Sequence, residues 1–277
     1  LVFVGTYFSI GRWIALSAPA RVVIIFNTDQ PRWLRDNLSR ITHSGCSAEV
    51  IYTSRALRTR HRGVGPVLES PIDLNRFPFR DPSNAPAQPF TVGRLSRDDA
   101  SKHHAEDPAL YRRLAAAGIR VRLMGATCLA SQLADTPGIE LLPAGAESPL
   151  TFLRSLNAFV YRTADHWYEA FGRVVFEAMA AGVPVVCGSR GGYAGYLEHG
   201  RSALLGKSTD DLAAAVLALR GDSLRAATLA REAHRTAHRV QRDARRQMIK
   251  LLVGSSLAGD DRAPDTLAIT QPMAPGD

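Results

Sequence analysis

The chain has 277 residues, 45% of them hydrophobic and 22% charged, with 34 basic against 26 acidic side chains and a formal net charge of +8. That length fits one large or two ordinary domains with enough apolar side chain to fill their cores. No run of 18 apolar residues occurs, so no membrane-spanning helix is expected. Cys46, Cys128 and Cys187 stand far apart, without CxxC or His partners, which argues against a zinc site or disulfide framework and fits a reducing cytoplasm.

The opening residues, LVFVGTYFSIGRW, lack the basic region and cleavage site of a signal peptide. With no initiator Met, the chain is read as a fragment or a processed product. Residues 1–5, 21–26 and 48–53 are apolar, β-branched runs that predict strands. Helices are expected at 11–17 and 33–41, a short basic segment at 55–62 and a last short strand at 67–68. Alternating strands and helices predict a Rossmann-type parallel sheet. A full doubly wound domain needs roughly 150 residues, so residues 1–70 read as part of an N-terminal domain. Residues 81–89 (DPSNAPAQP) form a Pro-rich surface loop. Strands then follow at 90–95, 121–124, 139–142 and 158–161, with helices at 108–117, 129–133 and 150–156 between them. Open α/β sheets of this order bind ligands at their strand ends.

The stretch 166–206 organises the rest: HWYEAFGRVVFEAMAAGVPVVCGSRGGYAGYLEHGRSALLG. It reads as loop, helix, buried strand and Gly-rich loop. Residues 171–181 are nearly all apolar or small, which predicts a helix buried on most of its surface. A carboxylate there, Glu177, is costly unless something pairs with it. Eight steps of ~100° place Glu169 and Glu177 about 80° apart and roughly 12 Å apart along the axis. They are too distant to share a proton or a metal, but suit the two ends of one elongated ligand. The helix start near Phe171 and Gly172 offers free N–H groups and a positive dipole end, a place for phosphate. Together these features describe a nucleotide-sugar. Arg173 and Glu177, four apart, also fit a simple helix-face ion pair.

The run EAFGRVVFEAMAAGVPVV followed by SRGG resembles the C-terminal half of retaining glycosyltransferases of family 4. Their signature is E-x-F-G-x-x-x-x-E-A-M-A-x-G-x-P-V-V with a Gly-Gly loop after it. The resemblance implies an α/β fold of GT-B type, here one complete Rossmann-like C-terminal domain plus a partial N-terminal one. It implies that Glu169 binds donor-sugar hydroxyls, that Glu177 binds ribose, and that Phe171, Gly172, Gly191 and Gly192 face sugar and phosphate. ESPIDLNRF at 69–77 resembles the family's interdomain segment through Asp73 and Phe77, with Pro71 in place of the usual Gly. By the same resemblance Gly93, Arg94 and Lys102 hold the donor diphosphate, and Glu169, Arg94 and Lys102 form the catalytic set. Two cations neutralising the leaving diphosphate imply chemistry with no cofactor and no metal. The chain departs from the family after Gly191–Gly192, where Tyr193, Ala194 and Gly195 stand in place of a common Pro-Glu.

A helix is expected at 209–219, capped by Ser208 or Thr209 and stopped by Gly221. A longer helix follows at about 223–252. Its stripe of Ala226, Ala230, Ala233, Ala237 and Ala244 predicts close packing. A second stripe holds Arg231, Arg235, Arg239, Arg242 and Arg246. Between residues 220 and 250 nine basic and three acidic residues leave +6. A solvated face or peripheral contact with anionic lipid are the two readings. No aromatic platform accompanies the charge, so nucleic acid is not an expected partner. Residues 254–277 read as a disordered tail. His166 is read as shaping its loop.

The domain plan is therefore 1–70, 71–222, a basic helix 223–253 and the tail. The expected function is cytoplasmic transfer of a sugar from a nucleotide-diphosphate sugar to an unknown sugar, lipid-linked or small-molecule acceptor, with retention, peripheral contact at the inner face of the membrane being a further reading. The alternatives are a non-catalytic nucleotide-sugar-binding remnant, a domain needing a partner chain, a basic membrane adaptor, and a GT-B epimerase.

Overall fold

A computed structural model describes residues 1–82 and 89–253. The 254–277 tail and most of the 81–89 loop lie outside the described residues. Three strands, β1 (Val2–Val4), β2 (Val22–Phe26) and β3 (Ala48–Tyr52), form a parallel sheet in that order. Helices α1 (Trp13–Ser17), α2 (Pro31–His43) and α3 (Arg55–Arg60) connect or follow them. In β2, Val22, Ile24 and Phe26 face a core with Ile14, Leu34 and Ile41. Val23 and Ile25 face the opposite side. This two-sided burial is why β2 is apolar at every position. The strand expected at 67–68 is a single bridge between Tyr52 and Val67.

The second sheet is also wholly parallel, in the order β6-β5-β4-β7-β8-β9. Its strands are β4 (Thr91–Leu95), β5 (Arg120–Met124), β6 (Ile139–Leu142), β7 (Ala158–Tyr161), β8 (Val185–Gly188) and β9 (Leu204–Gly206). The three-residue β9 was not expected, being too short to carry a periodic pattern. Helices α4 (Asp107–Ala116), α5 (Ala130–Leu133) and α8 (Thr209–Gly221) cover one face. On the other face lie α6 (Pro149–Arg154), α7 (Arg173–Ala180) and the long α9 (Ser223–Val253). Along β7, Ala158 and Val160 enter the first core, and Phe159 and Tyr161 the second. Ser208 caps α8 in a reciprocal capping box with Asp211.

The alanine stripe of α9 is buried at Ala226, Ala230, Ala233, Ala237 and Ala244. Small side chains let α9 approach α7, where His234 Nδ1 lies 2.9 Å from the Ala180 carbonyl oxygen. Further along, Met248 and Leu251 pack under the first sheet. Gln241 binds the segment joining the two sheets from both ends: its Oε1 accepts from the Ile72 N–H at 2.8 Å, and its Nε2 donates to the Ser70 carbonyl at 3.1 Å. On the cationic stripe, Arg231 pairs with Asp81 at 3.1 Å and Arg235 with Glu232. Arg235, Arg239, Arg242 and Arg246 are exposed. No helix among the described residues is long and apolar enough to cross a membrane.

Candidate active site

The order of the second sheet reverses between β4 and β7, and doubly wound sheets open a crevice at such a point. A cleft of about 230 Å³ lies there. Ser96 and Arg97 follow β4, Tyr161 ends β7, and Phe171 to Val174 lead into α7. Asn27, just past β2, and Ser70 close it from the first sheet's side.

At its centre the Glu169 carboxylate accepts a hydrogen bond from Lys102 Nζ at 2.7 Å and another from the Tyr161 hydroxyl at 2.8 Å. Both bonds reach the same oxygen, Oε2, which leaves Oε1 as the acceptor for a ligand. Lys102 also lies 4.7 Å from the centre of the Trp167 ring. Burial and the adjacent Glu169 carboxylate push the Tyr161 phenol well above its ordinary pKa, so it remains a donor. Glu169 and Lys102, 67 residues apart, are thus brought together as expected of one site.

Arg94 requires a correction. The sequence places it against the leaving diphosphate, yet its side chain is 1% exposed and does not line the cleft. It donates to Asp107 Oδ2 at 3.2 Å and to the carbonyls of Arg162 and Lys102, and stacks 4.7 Å from the Tyr161 ring centre. Arg94 therefore positions Lys102 and Tyr161 from behind. Gly93 is likewise misplaced by the sequence reading. β4 ends at Leu95, as expected, so Gly93 lies inside the sheet, where a Cβ would come within 2.7 Å of both the Arg122 carbonyl oxygen and Leu156. Its role is packing.

Phe171 and Gly172 do line the cleft. Gly172 caps α7 with φ +86, a left-handed conformation that turns the chain into the helix. The N–H groups of the first turn point towards the cleft end of α7. Gly191 and Gly192 act less directly than expected. The Gly192 N–H donates to the Glu169 carbonyl at 2.6 Å, so it is not free for phosphate. A Cβ at Gly192 would fall 2.0 Å from the Ala170 carbonyl oxygen. The Gly-Gly loop holds the Glu169 backbone in place, and Tyr193 packs against both Gly172 and Gly191. Glu177 is 9% exposed, and the cation paired with it is Arg173, 3.9 Å away. Burial raises its carboxyl pKa, against the pull of Arg173 and Arg76.

Sequence reasoning missed Arg97, Arg173, Tyr161, Asn27 and Ser70. Arg97 had a usable signal: it lies in the loop after Leu95, where the expected strand and β4 both end. Arg97 and Arg173 have side chains 70% and 58% exposed at the cleft. With Lys102 they set three cations against Glu169.

Beside this site His103 is 4% exposed; its Nε2 bonds the Gly125 carbonyl at 3.1 Å and its Nδ1 is buried with no hydrogen-bond partner among the described residues. Burial, aided by Arg94, lowers its pKa to about 4. The unfolded imidazole titrates near 6.5, so the unfolded state binds a proton first and stability falls as pH drops from 6.5 towards 4. Between pH 7 and 5 this contributes about 2 kcal/mol. His103→Gln is expected to show a correspondingly smaller loss of stability over that interval; denaturant unfolding at both pH values checks this, and an equal loss contradicts it.

Residues 125–236 match the family model of glycosyl transferases group 1. Two curated relatives are D-inositol 3-phosphate glycosyltransferases: that of Rhodococcus opacus (strain B4) is 36% identical over 116 residues, and that of Rhodococcus jostii (strain RHA1) 35% over 116. The aligned stretch covers 39% of this chain and 24% of each relative, so it spans about a quarter of their length. Among solved structures, Anabaena HepE in complex with UDP and glucose has a TM-score of 0.71 at 20% identity, covering 88% of this chain and 74% of that one. Sucrose-phosphate synthase from Thermosynechococcus elongatus has a TM-score of 0.72 at 17% identity, covering 91% and 72%. These likenesses show a shared fold. The chain therefore has an α/β fold of GT-B type, within which residues 125–236 match the glycosyl transferases group 1 model.

Proposed function

We propose that the chain transfers a sugar from a nucleotide-diphosphate sugar to an acceptor hydroxyl with retention at the anomeric carbon. The observation that carries this is the Lys102–Glu169–Tyr161 cluster facing the start of α7 at the sheet's reversal point. The family match, which includes Tyr161, Glu169 and the start of α7, and the UDP bound to the structurally similar HepE support it. In this reading the diphosphate lies at the N–H groups of Gly172 and Arg173, with Lys102, Arg97 and Arg173 offsetting its charge. Glu169 Oε1 accepts from donor-sugar hydroxyls, and Glu177 from ribose. The bond from the anomeric carbon to the diphosphate oxygen breaks as the acceptor oxygen bonds that carbon on the same face. The acceptor's proton passes to the departing diphosphate. Arg94, Gly191 and Gly192 hold these groups in position.

The test is release of nucleotide from UDP-, GDP- and ADP-sugars in the presence of candidate acceptors. Turnover with one donor, and product of unchanged anomeric configuration, is the expected result. Binding without turnover favours a nucleotide-sugar-binding domain that is non-catalytic or needs a partner chain. Peripheral membrane contact is a second reading, favoured by the exposed Arg235, Arg239, Arg242 and Arg246 on one face of α9. It expects sedimentation with anionic liposomes at low salt and release at high salt; absent or salt-insensitive binding removes it.

A further inference from the structure

Tyr161 and Arg162 are neighbours in sequence that serve different hollows. Successive residues of a strand point to opposite faces. Tyr161, at the end of β7, reaches the cleft, while Arg162 turns to the face covered by α4 and α8, where it binds Asp107 and Thr209, the first residues of those helices. A separate cavity of about 250 Å³ opens there and shares no lining residue with the cleft. Because the strands are parallel, Arg162 after β7, Arg190 shortly after β8 and Lys207 after β9 arrive at one edge and line it together.

The floor of this cavity is short of negative charge. Arg162 is 7% exposed; its Nε donates to Asp107 Oδ1 at 2.6 Å and its Nη2 to Thr209 Oγ1 at 3.0 Å. The other oxygen of Asp107 accepts from Arg94 at 3.2 Å. Two buried guanidiniums thus share one buried carboxylate, which leaves a positive charge over. A further acid, Glu106, stands 3.8 Å from Arg162 Nη1, but its side chain is exposed and its Oε2 already accepts from Thr209. A buried charge without full pairing is costly.

The rim adds to the excess. Arg190 and Lys207 are exposed, and neither forms an ion pair among the described residues. Arg190 Nη1 donates instead to the carbonyls of Ala164 and Trp167, at 3.3 and 3.1 Å. The carboxylate that lines the cavity, Asp165, is exposed and lies 3.4 Å from His104. Three cations therefore face one carboxylate. Guanidinium and ammonium groups converging from three loops suit an anion with several oxygens, and the guanidinium fork matches phosphate in particular. No Phe, Tyr or Trp lines the cavity to stack on a nucleobase, and its volume falls below the roughly 300–1,000 Å³ usual for larger ligands.

We propose that Arg162, Arg190 and Lys207 bind a phosphate group, free or as the monoester of a small molecule, and that it braces the segment leading to Glu169. Arg190 already holds the Ala164 and Trp167 carbonyls, so a phosphate bound to it ties that segment to the loops after β8 and β9. The site stands independently of the transfer reading. The experiment is calorimetric titration of inorganic phosphate and of glycerol 3-phosphate, at constant ionic strength, into the full wild-type chain and its Lys207→Ala, Arg190→Ala and Lys102→Ala variants. At least one of the two is expected to bind, the tighter one telling free phosphate from monoester. Lys207→Ala and Arg190→Ala are each expected to weaken it at least fivefold, and Lys102→Ala to leave it within twofold. The bound anion is expected to slow amide hydrogen exchange across residues 163–169 in the wild type and not in Lys207→Ala. Binding of neither overturns the site. So does binding that Lys102→Ala weakens and Lys207→Ala leaves intact, which puts the anion in the donor cleft. Lys207-dependent binding with unchanged exchange overturns the brace. Nucleotide titration of the same variants keeps the donor reading separate: its failure leaves Lys207-dependent phosphate binding standing.

Discussion

Replacing Glu169 by Gln is expected to lower kcat/KM for transfer by roughly 10²–10³-fold, with nucleotide diphosphate affinity nearly unchanged. The substitution preserves shape and a hydrogen-bonding oxygen, so Tyr161 keeps a partner. It removes the charge that pairs with Lys102 at 2.7 Å and that binds sugar hydroxyls most strongly as positive charge develops at the anomeric carbon. The diphosphate is assigned to other groups, chiefly Lys102, Arg97 and the start of α7. A loss of nucleotide affinity comparable to the loss of turnover contradicts the assignment of Glu169 to the sugar. The measurement is steady-state kinetics of nucleotide release paired with nucleotide titration of the same variant.

Arg94→Met is expected to lower global stability by about 3–5 kcal/mol. Methionine fills a similar volume without the guanidinium that bonds Asp107 and two backbone carbonyls. Asp107 retains Arg162 at 2.6 Å, which limits the damage but leaves a buried carboxylate with half its pairing. Arg94→Lys is not expected to rescue stability, because one ammonium does not span the three acceptors that the guanidinium fork reaches. Denaturant unfolding measures the effect. An unchanged midpoint with lost nucleotide binding contradicts the structural role and returns Arg94 to the ligand.

The contrast between Glu169 and Arg94 shows what the sequence makes legible. Ile139–Leu142 and Ala158–Tyr161 appear with the bounds that periodicity predicts, since a buried strand announces itself by its apolar run. The short β9 carries too little pattern to be read. Glu169, Phe171, Gly172 and Lys102 reach one cleft, and an ordered motif is what made their gathering foreseeable. Arg94 was misjudged because sequence gives spacing but not the direction of a side chain at a strand end. Arg94 faces inward one residue before β4 ends at Leu95, and Arg97, in the loop beyond, reaches the opening. Tyr161 was invisible for a related reason: an aromatic at the end of an apolar strand reads as core, and only its hydroxyl bond to Glu169 reveals its second use.

Titration of UDP, GDP and ADP by calorimetry into the wild-type chain, Lys102→Ala and Glu177→Ala tests the central claim most directly. The account predicts that one nucleotide binds wild type at millimolar concentration or below and that each variant weakens it at least tenfold, Lys102→Ala through the diphosphate and Glu177→Ala through the ribose. Binding of none of the three nucleotides to a folded wild-type chain, or binding that both variants leave intact, contradicts it.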